Sequence, residues 1–171
     1  MTKMKRLLLI IITLLSVSTW SYAGGSRAIG GNLGGGLDFS YQIAVGDKNM
    51  IDIFAGFPWS ATSAYGFGVG GGLSYDWLNP FNKPIPWDED GEWNWYIGLG
   101  AGGGTLLGKD TEQGTGVYAG VLGHVGVEYN FEFPLQLSID WRPTLGVYIN
   151  GGSEFYGPGL LALSLGVRYK F

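Results

Sequence analysis

Apolar residues recur at every second position through most of this chain. Side chains on a strand point alternately to its two faces, so a period of two predicts strands with one apolar and one polar face. The pattern is clearest at the end of the chain, in residues 161–171, where every odd position is apolar and every even position is small or charged. Six earlier segments repeat it, namely residues 37–45, 50–57, 65–77, 93–102, 117–131 and 135–147.

Alternating segments of about ten residues, separated by turns, are typical of a transmembrane β-barrel. Turn-forming residues occupy positions 46–49, 108–114, 132–134 and 150–153. A single-chain bacterial barrel has an even number of strands, and a further turn signal at residues 32–36 divides the first segment into two. We therefore predict an all-β fold: an eight-stranded, antiparallel, up-and-down barrel, closed because an open sheet edge cannot face lipid.

The N-terminus predicts export. Lys3, Lys5 and Arg6 precede a short apolar run at residues 7–17, and small residues lead up to Ala23. This pattern is typical of a cleaved secretory signal, and the run is shorter than the roughly 20 residues of a membrane-spanning helix. We expect a signal peptide at residues 1–23, cleavage after Ala23, and one outer-membrane barrel domain at residues 24–171.

Outward aromatic residues predict the orientation of the barrel. If Phe171 ends on the periplasmic side, the turns at residues 46–49, 79–92 and 132–134 lie on that side too. Eight outward aromatic side chains then fall at the same end and form the girdle expected at a membrane interface. They are Tyr75, Trp77, Trp93, Trp95, Tyr129, Phe131, Tyr169 and Phe171.

Three stretches resemble the small Gram-negative outer-membrane β-barrel domain family: GVEYNF at residues 126–131, PLQLSIDWRP at residues 134–143 and GVRYKF at residues 166–171. NWYIG at residues 94–98 fits the same pattern. The chain is similar in size to OmpX-like and OmpA-like, eight-stranded barrels. The resemblance implies an outer-membrane location, lipid as a partner, and insertion by the barrel assembly machinery through a last strand ending in Phe171. It implies no single activity.

The even positions predict a polar lumen. Its ionisable and large polar members are Asp38, Asp52, Asp76, Tyr96, His124, Glu128, Asp140, Arg142, Arg168 and Lys170. An eight-stranded barrel is just wide enough for side chains to fill it, so we expect a plug of ion pairs and hydrogen bonds. The alternative is a polar ligand cavity, which the many inward glycines would favour. Five carboxylates face three cations, so some acids should meet water or share protons.

His124 is the single histidine, and it raises the alternative of a lipid-modifying enzyme, which needs a base beside a nucleophile or an orienting acid. No serine shares its strand segment. We therefore expect His124 to belong to the hydrogen-bond network of the lumen, and we expect no enzymatic activity. GLGAGG at residues 98–103 matches a dinucleotide-binding fingerprint but lies inside a strand, so no cofactor is predicted. We expect no metal site, and a negative chain without a basic patch predicts no nucleic-acid partner.

The long connection at residues 79–92 carries three prolines, Trp87 and an acidic run. It could cap the barrel or bind a periplasmic partner, but a solvated acidic loop is the simpler interpretation. The favoured function is a structural or interaction role in the cell envelope, as a monomer. A lipid-modifying enzyme, a porin-like narrow pore or small-ligand binder, and a soluble periplasmic β-sandwich remain as alternatives.

Overall fold

The computed structural model describes residues 27–58, 65–81, 91–108, 114–157 and 163–171. The predicted signal peptide and most of the connection at residues 79–92 lie outside these residues. The described strands are β1 (Arg27–Leu33), β2 (Gly36–Ala44), β3 (Asn49–Pro58), β4 (Tyr65–Pro80), β5 (Gly91–Gly108), β6 (Thr115–Phe131), β7 (Leu135–Trp141), β8 (Thr144–Ile149), β9 (Ser153–Tyr156) and β10 (Leu163–Lys170). In this part of the chain, no helix is long and apolar enough to cross a membrane.

The strands form a closed, antiparallel, eight-stranded barrel, as the alternation predicts. Strands β1 to β6 pair in chain order, and β1 also pairs with β10, which closes the wall. β7 and β8 both pair with β6 in one unbroken register, so they form a single wall strand interrupted at Arg142 and Pro143. Gly123 bridges this break by donating its N–H to the Pro143 carbonyl over 2.9 Å. β9 continues the wall beside β8, and β10 completes it.

The turn that divides the first segment is confirmed, because β1 and β2 form a hairpin at residues 34–35. At the next turn, Gly46 has a φ of 71° and Val45 donates to the Asn49 carbonyl over 2.7 Å. Two boundaries differ from prediction. Ser153–Tyr156, which lies outside the predicted strand segments at residues 135–147 and 161–171, is strand β9, because it pairs with β8. Ladder pairing also extends β4 through Pro80 and begins β5 at Gly91, inside the predicted loop.

The strands are strongly staggered around the wall. The stagger can be followed by starting at Lys170 and stepping from each residue to its pairing partner on the next strand. The path passes through β1 to β6 and ends at Thr144. Lys170 itself, however, donates its backbone N–H to Pro134, ten positions earlier on the same wall strand as Thr144. A stagger of this size tilts the strands by about 35–45° from the barrel axis.

Residue parity separates the two faces of the wall. Among the described residues, thirty-two large apolar side chains are exposed, and every one has an odd residue number. Thirteen polar or charged side chains in the same ranges are buried, and every one has an even number. Each pairing joins odd with odd and even with even, except that of Tyr65 with Gly108, where the register between β4 and β5 shifts, so both faces continue around the barrel. The outside is apolar and the lumen is polar.

The apolar outer face extends over at least ten residues of a wall strand. On β4, outward side chains run from Phe67, which stacks on Phe57 at 5.4 Å, to Trp77, which contacts Tyr75 edge-on at 5.4 Å. Ten residues of a tilted strand span roughly 25 Å along the barrel axis. The outward apolar band of outer-membrane barrels is about 25 Å tall.

Candidate functional site: the polar lumen

Arg168 of β10 lies at the centre of the lower lumen, meaning the half nearer the end of the barrel at which β10 finishes. Its side chain is buried, with the residue 1% exposed. Its guanidinium donates three hydrogen bonds of 2.7–2.9 Å, to the side-chain oxygens of Ser40, Ser138 and Asn32. The two serines donate in turn to carboxylates, Ser40 to Asp52 over 2.7 Å and Ser138 to Asp140 over 2.8 Å. Both carboxylates also lie within 3.8 Å of Arg168 Nη2. The serines therefore link one guanidinium to two buried acids.

Arg142 lies above this group, at the break between β7 and β8. It donates from Nη1 to Asp38 over 2.9 Å, from Nη2 to Asp52 over 3.3 Å and from Nε to His124 Nε2 over 3.3 Å. Its guanidinium carbon is 4.7 Å from the centre of the Phe54 ring, within the range of a cation–π contact. Asp52 thus contacts both arginines and connects the two levels of the network.

His124 is fully buried between two carboxylates. Its Nδ1 is 3.0 Å from both carboxylate oxygens of Asp76 and 3.1 Å from Ser74 Oγ. Its Nε2 is 3.4 Å from Asp140 Oδ1 and also accepts from Arg142. The Tyr96 ring packs edge-on against the imidazole at 4.9 Å. Because Arg142 can only donate, Nε2 acts as the acceptor in that contact, and Nδ1 is the ring nitrogen placed to donate to Asp76.

Glu128 occupies a separate polar group near the end of the barrel at which β10 finishes. It accepts from three amide side chains at 2.7–3.3 Å, those of Asn94, Asn130 and Gln136. Lys170 lies at the rim, where its Nζ donates to the Phe131 carbonyl over 2.9 Å. The predicted excess of carboxylates is therefore balanced in part by neutral donors, which can satisfy a buried anion without a counter-charge.

All ten predicted lumen residues face inward, and eight of them form one connected cluster. Glu128 and Lys170 lie below that cluster. Asp140 and Arg142, which share one face of a wall strand, meet through His124, since both contact its Nε2. The prediction from sequence missed the uncharged members that complete the network: Asn32, Ser74, Gln136 and Ser138. Their even numbers are the signal that would have included them.

Several inward glycines make room for aromatic rings and do not line empty space. A Cβ on Gly126 would collide with the Tyr96 ring, and one on Gly116 with the Tyr148 ring. A Cβ on Gly70 would meet the Tyr118 hydroxyl. Tyr118 also stacks on Tyr156 at 4.5 Å. These contacts weaken the interpretation in which the inward glycines line a ligand cavity.

The predicted girdle residues lie at one end of the barrel. Tyr129 joins a chain of ring contacts at 4.6–4.9 Å that also includes Trp93, Phe131 and Phe133. Tyr169 stacks near Phe171 at 6.4 Å, and Phe171 exchanges backbone hydrogen bonds with Arg27. Phe133, in the turn between β6 and β7, is an addition to the predicted set.

The lumen contains a Ser–His–Asp series of contacts, because β4 supplies Ser74 to His124, whose other nitrogen faces Asp140. A nucleophile of this kind must reach its substrate. Ser74 is 1% exposed, His124 and Asp140 are 0% exposed, and Ser74 donates to Asp76 over 2.9 Å.

No group of three or more metal-ligating side chains that could hold a metal ion occurs in the described part of the chain. Comparisons with protein-family models, with curated proteins and with solved structures found no match to this chain.

Proposed function

We propose that this chain is a small outer-membrane β-barrel protein with a structural or interaction role in the cell envelope, and that its lumen is closed by its own side chains. One observation carries the proposal: a closed barrel whose outward wall positions are apolar and whose buried charged side chains all face the lumen. Monomeric soluble proteins rarely expose contiguous apolar patches above a few hundred Å². Here the apolar surface encircles the wall, which suits a hydrocarbon solvent.

The buried network supports the closed lumen. Arg142 and Arg168 together make hydrogen bonds or ion pairs with seven side chains drawn from five wall strands. Losing one partner of a buried pair is strongly destabilising, because an uncompensated charge remains. These contacts link five wall strands through the centre of the barrel and fill it. The exported location, insertion through the strand ending in Phe171, and the likeness to small Gram-negative barrels belong to the same proposal.

The direct test is to fold the mature chain, residues 24–171, into detergent micelles and to run it on a gel with and without boiling. A compact band that shifts on boiling is expected from a closed membrane barrel. A parallel sample without detergent is the control. A folded β spectrum in plain buffer, with no shift, would overturn the membrane proposal. Deleting the gene and measuring sensitivity to bile salts and large antibiotics tests the envelope role.

A lipid-modifying enzyme is the second candidate, because Ser74 and His124 lie 3.1 Å apart. It requires the lumen to open, since both side chains are buried. Its test compares the lipid A profile of cells that express the wild type, Ser74→Ala or His124→Asn. A lipid A change made by the wild type and lost in both variants would favour the enzyme, and unchanged profiles would count against it.

A further inference from the structure

Among the strands that the structure describes, the wall of the barrel is lowest at the β1–β2 hairpin. β1 has 7 residues and β2 has 9, whereas β5 has 18 and β6 has 17. Ile29 pairs with Tyr169, which lies at the end of the barrel that carries the predicted girdle residues, here called the aromatic end. The hairpin tip at Gly35 follows Ile29 by six residues. Trp95 is at the same end, and β5 continues for more than twelve residues beyond it. With tilted strands, the tip stands about 15 Å above the aromatic end and β5 reaches about 30 Å.

An apolar band of about 25 Å places this tip inside the hydrocarbon layer, roughly 10 Å below its outer edge. The tip consists of three glycines, residues 34–36, with one turn bond from the Gly34 N–H to the Gly36 carbonyl over 3.0 Å. Backbone groups outside the ladder are tolerated at this depth where they are buried in protein or line a water-filled cavity. The described strands provide no continuation of the sheet above the tip.

The lumen beside the tip is accessible to water. Asp38, two residues beyond the tip, faces inward, and its side chain is 23% exposed, whereas Asp52 and Asp140 in the same cluster are 0% exposed. Phe54 on the next strand also faces inward and is partly exposed. The neighbouring inward positions are glycines, at residues 36, 56 and 72. Above the Arg142–Asp38 pair, the hairpin side of the outer lumen is therefore a cup that solvent reaches from outside, whereas Leu106, Tyr148 and Tyr156 pack together between β5, β8 and β9.

We propose that this cup opens sideways over the β1–β2 hairpin, so that water and the headgroups of outer-leaflet lipids descend to residues 34–36. The inference rests on the proposed membrane location. This low edge of the wall, at residues 34–36, suits an amphiphilic lipid, because the polar backbone of the hairpin tip can bind a lipid headgroup. Outward Leu33, Leu37 and Phe39, which are 51–59% exposed, lie beneath it and can contact acyl chains. The bilayer is locally thin on this side of the barrel.

The chain has no cysteine, so single-cysteine variants report one position each. Gly35→Cys is compared with Ala101→Cys, which lies six residues above Trp95, at the same depth on the tall wall, and is also exposed. Gly152→Cys is the control for a solvated turn, where a Cβ would have no other atom within 4 Å. The variants are folded into dioleoyl-phosphatidylcholine vesicles, and a charged, membrane-impermeant maleimide is supplied on both sides. We expect Gly35→Cys to react nearly as fast as Gly152→Cys, and Ala101→Cys to react at least about tenfold more slowly.

Equally slow labelling of Gly35→Cys and Ala101→Cys would overturn the lateral opening and leave the membrane barrel intact. Fast labelling of Ala101→Cys would instead contradict the membrane location itself. If Gly35→Cys loses the heat-dependent gel shift, Leu33→Cys and Leu99→Cys replace the first pair, with a polarity-sensitive fluorophore on each. A more polar emission from residue 33 is expected, and identical emission from both would overturn the proposal.

Discussion

Arg142 donates from Nη1 to Asp38 Oδ2 over 2.9 Å, joining residues that are 104 positions apart in sequence. The two lie on wall strands that are not neighbours, since β10 and β1 stand between them. The bond therefore crosses the lumen. A second guanidinium, that of Arg168, makes similar crossings below it, to Ser40 and Asp52. Side chains of opposite charge thus tie distant parts of the wall together through the centre of the barrel.

Arg168→Met should be far more damaging than Lys170→Met. Both residues are inward cations of β10, but Arg168 has five buried polar partners and Lys170 donates to a backbone carbonyl at the rim. We expect a loss of about 3–5 kcal/mol in the free energy of unfolding for Arg168→Met and below about 1 kcal/mol for Lys170→Met. Urea unfolding in lipid vesicles measures both. Equal losses would contradict the central role of Arg168.

Leu99→Lys should destabilise the folded barrel in lipid, because Leu99 is 68% exposed at mid-height on the outer face. A lysine at the bilayer midplane costs about 2–4 kcal/mol, and near the interface about 0–1 kcal/mol. Phe133→Lys, at an exposed turn position beside the aromatic end, is the matched control. The measurement is again urea unfolding in vesicles. A neutral effect at residue 99 would mean that this face meets water.

Gly126→Ala should be destabilising because the new methyl group would occupy the space of the Tyr96 ring. Overpacking of this kind typically costs about 1–3 kcal/mol. Gly152→Ala, in an open turn, should stay within about 0.5 kcal/mol of wild type in urea unfolding. Repeating Gly126→Ala in a Tyr96→Ala background should remove most of the cost. A cost that persists there would place its origin in the backbone and not in the ring contact.

The wild-type barrel should show no conductance steps in planar bilayers, whereas Arg142→Ala should show them. Arg142 fills the middle of the lumen, and its loss leaves Asp38 and Asp52 without their main shared cation. The opened path should therefore prefer cations. Lys170→Ala, at the rim, is the control and should remain silent. Conductance steps of equal size in the wild type would show that the side chains do not close the lumen.

Much of the fold follows from the alternation. Odd and even positions separate into outer face and lumen along every described strand, and the turn at residues 34–35 appears where an even strand count requires it. The same rule places Asp140 and Arg142 on one inward face. The boundaries of β9 and of the ends of β4 and β5 could not be predicted, because pairing with a neighbouring strand, and not local composition, extends them.

The division of side chains between the outer face and the lumen follows from the amino-acid order, because strand geometry has a period of two and parity is a local property. Which lumen residues meet, in contrast, depends on the three-dimensional fold. Ser74 reaches His124, and Asn32 reaches Arg168, through the stagger of a closed wall. The fold also brings Tyr96 into the space beside Gly126. Stagger is set by all eight wall strands together, so no single segment encodes these contacts.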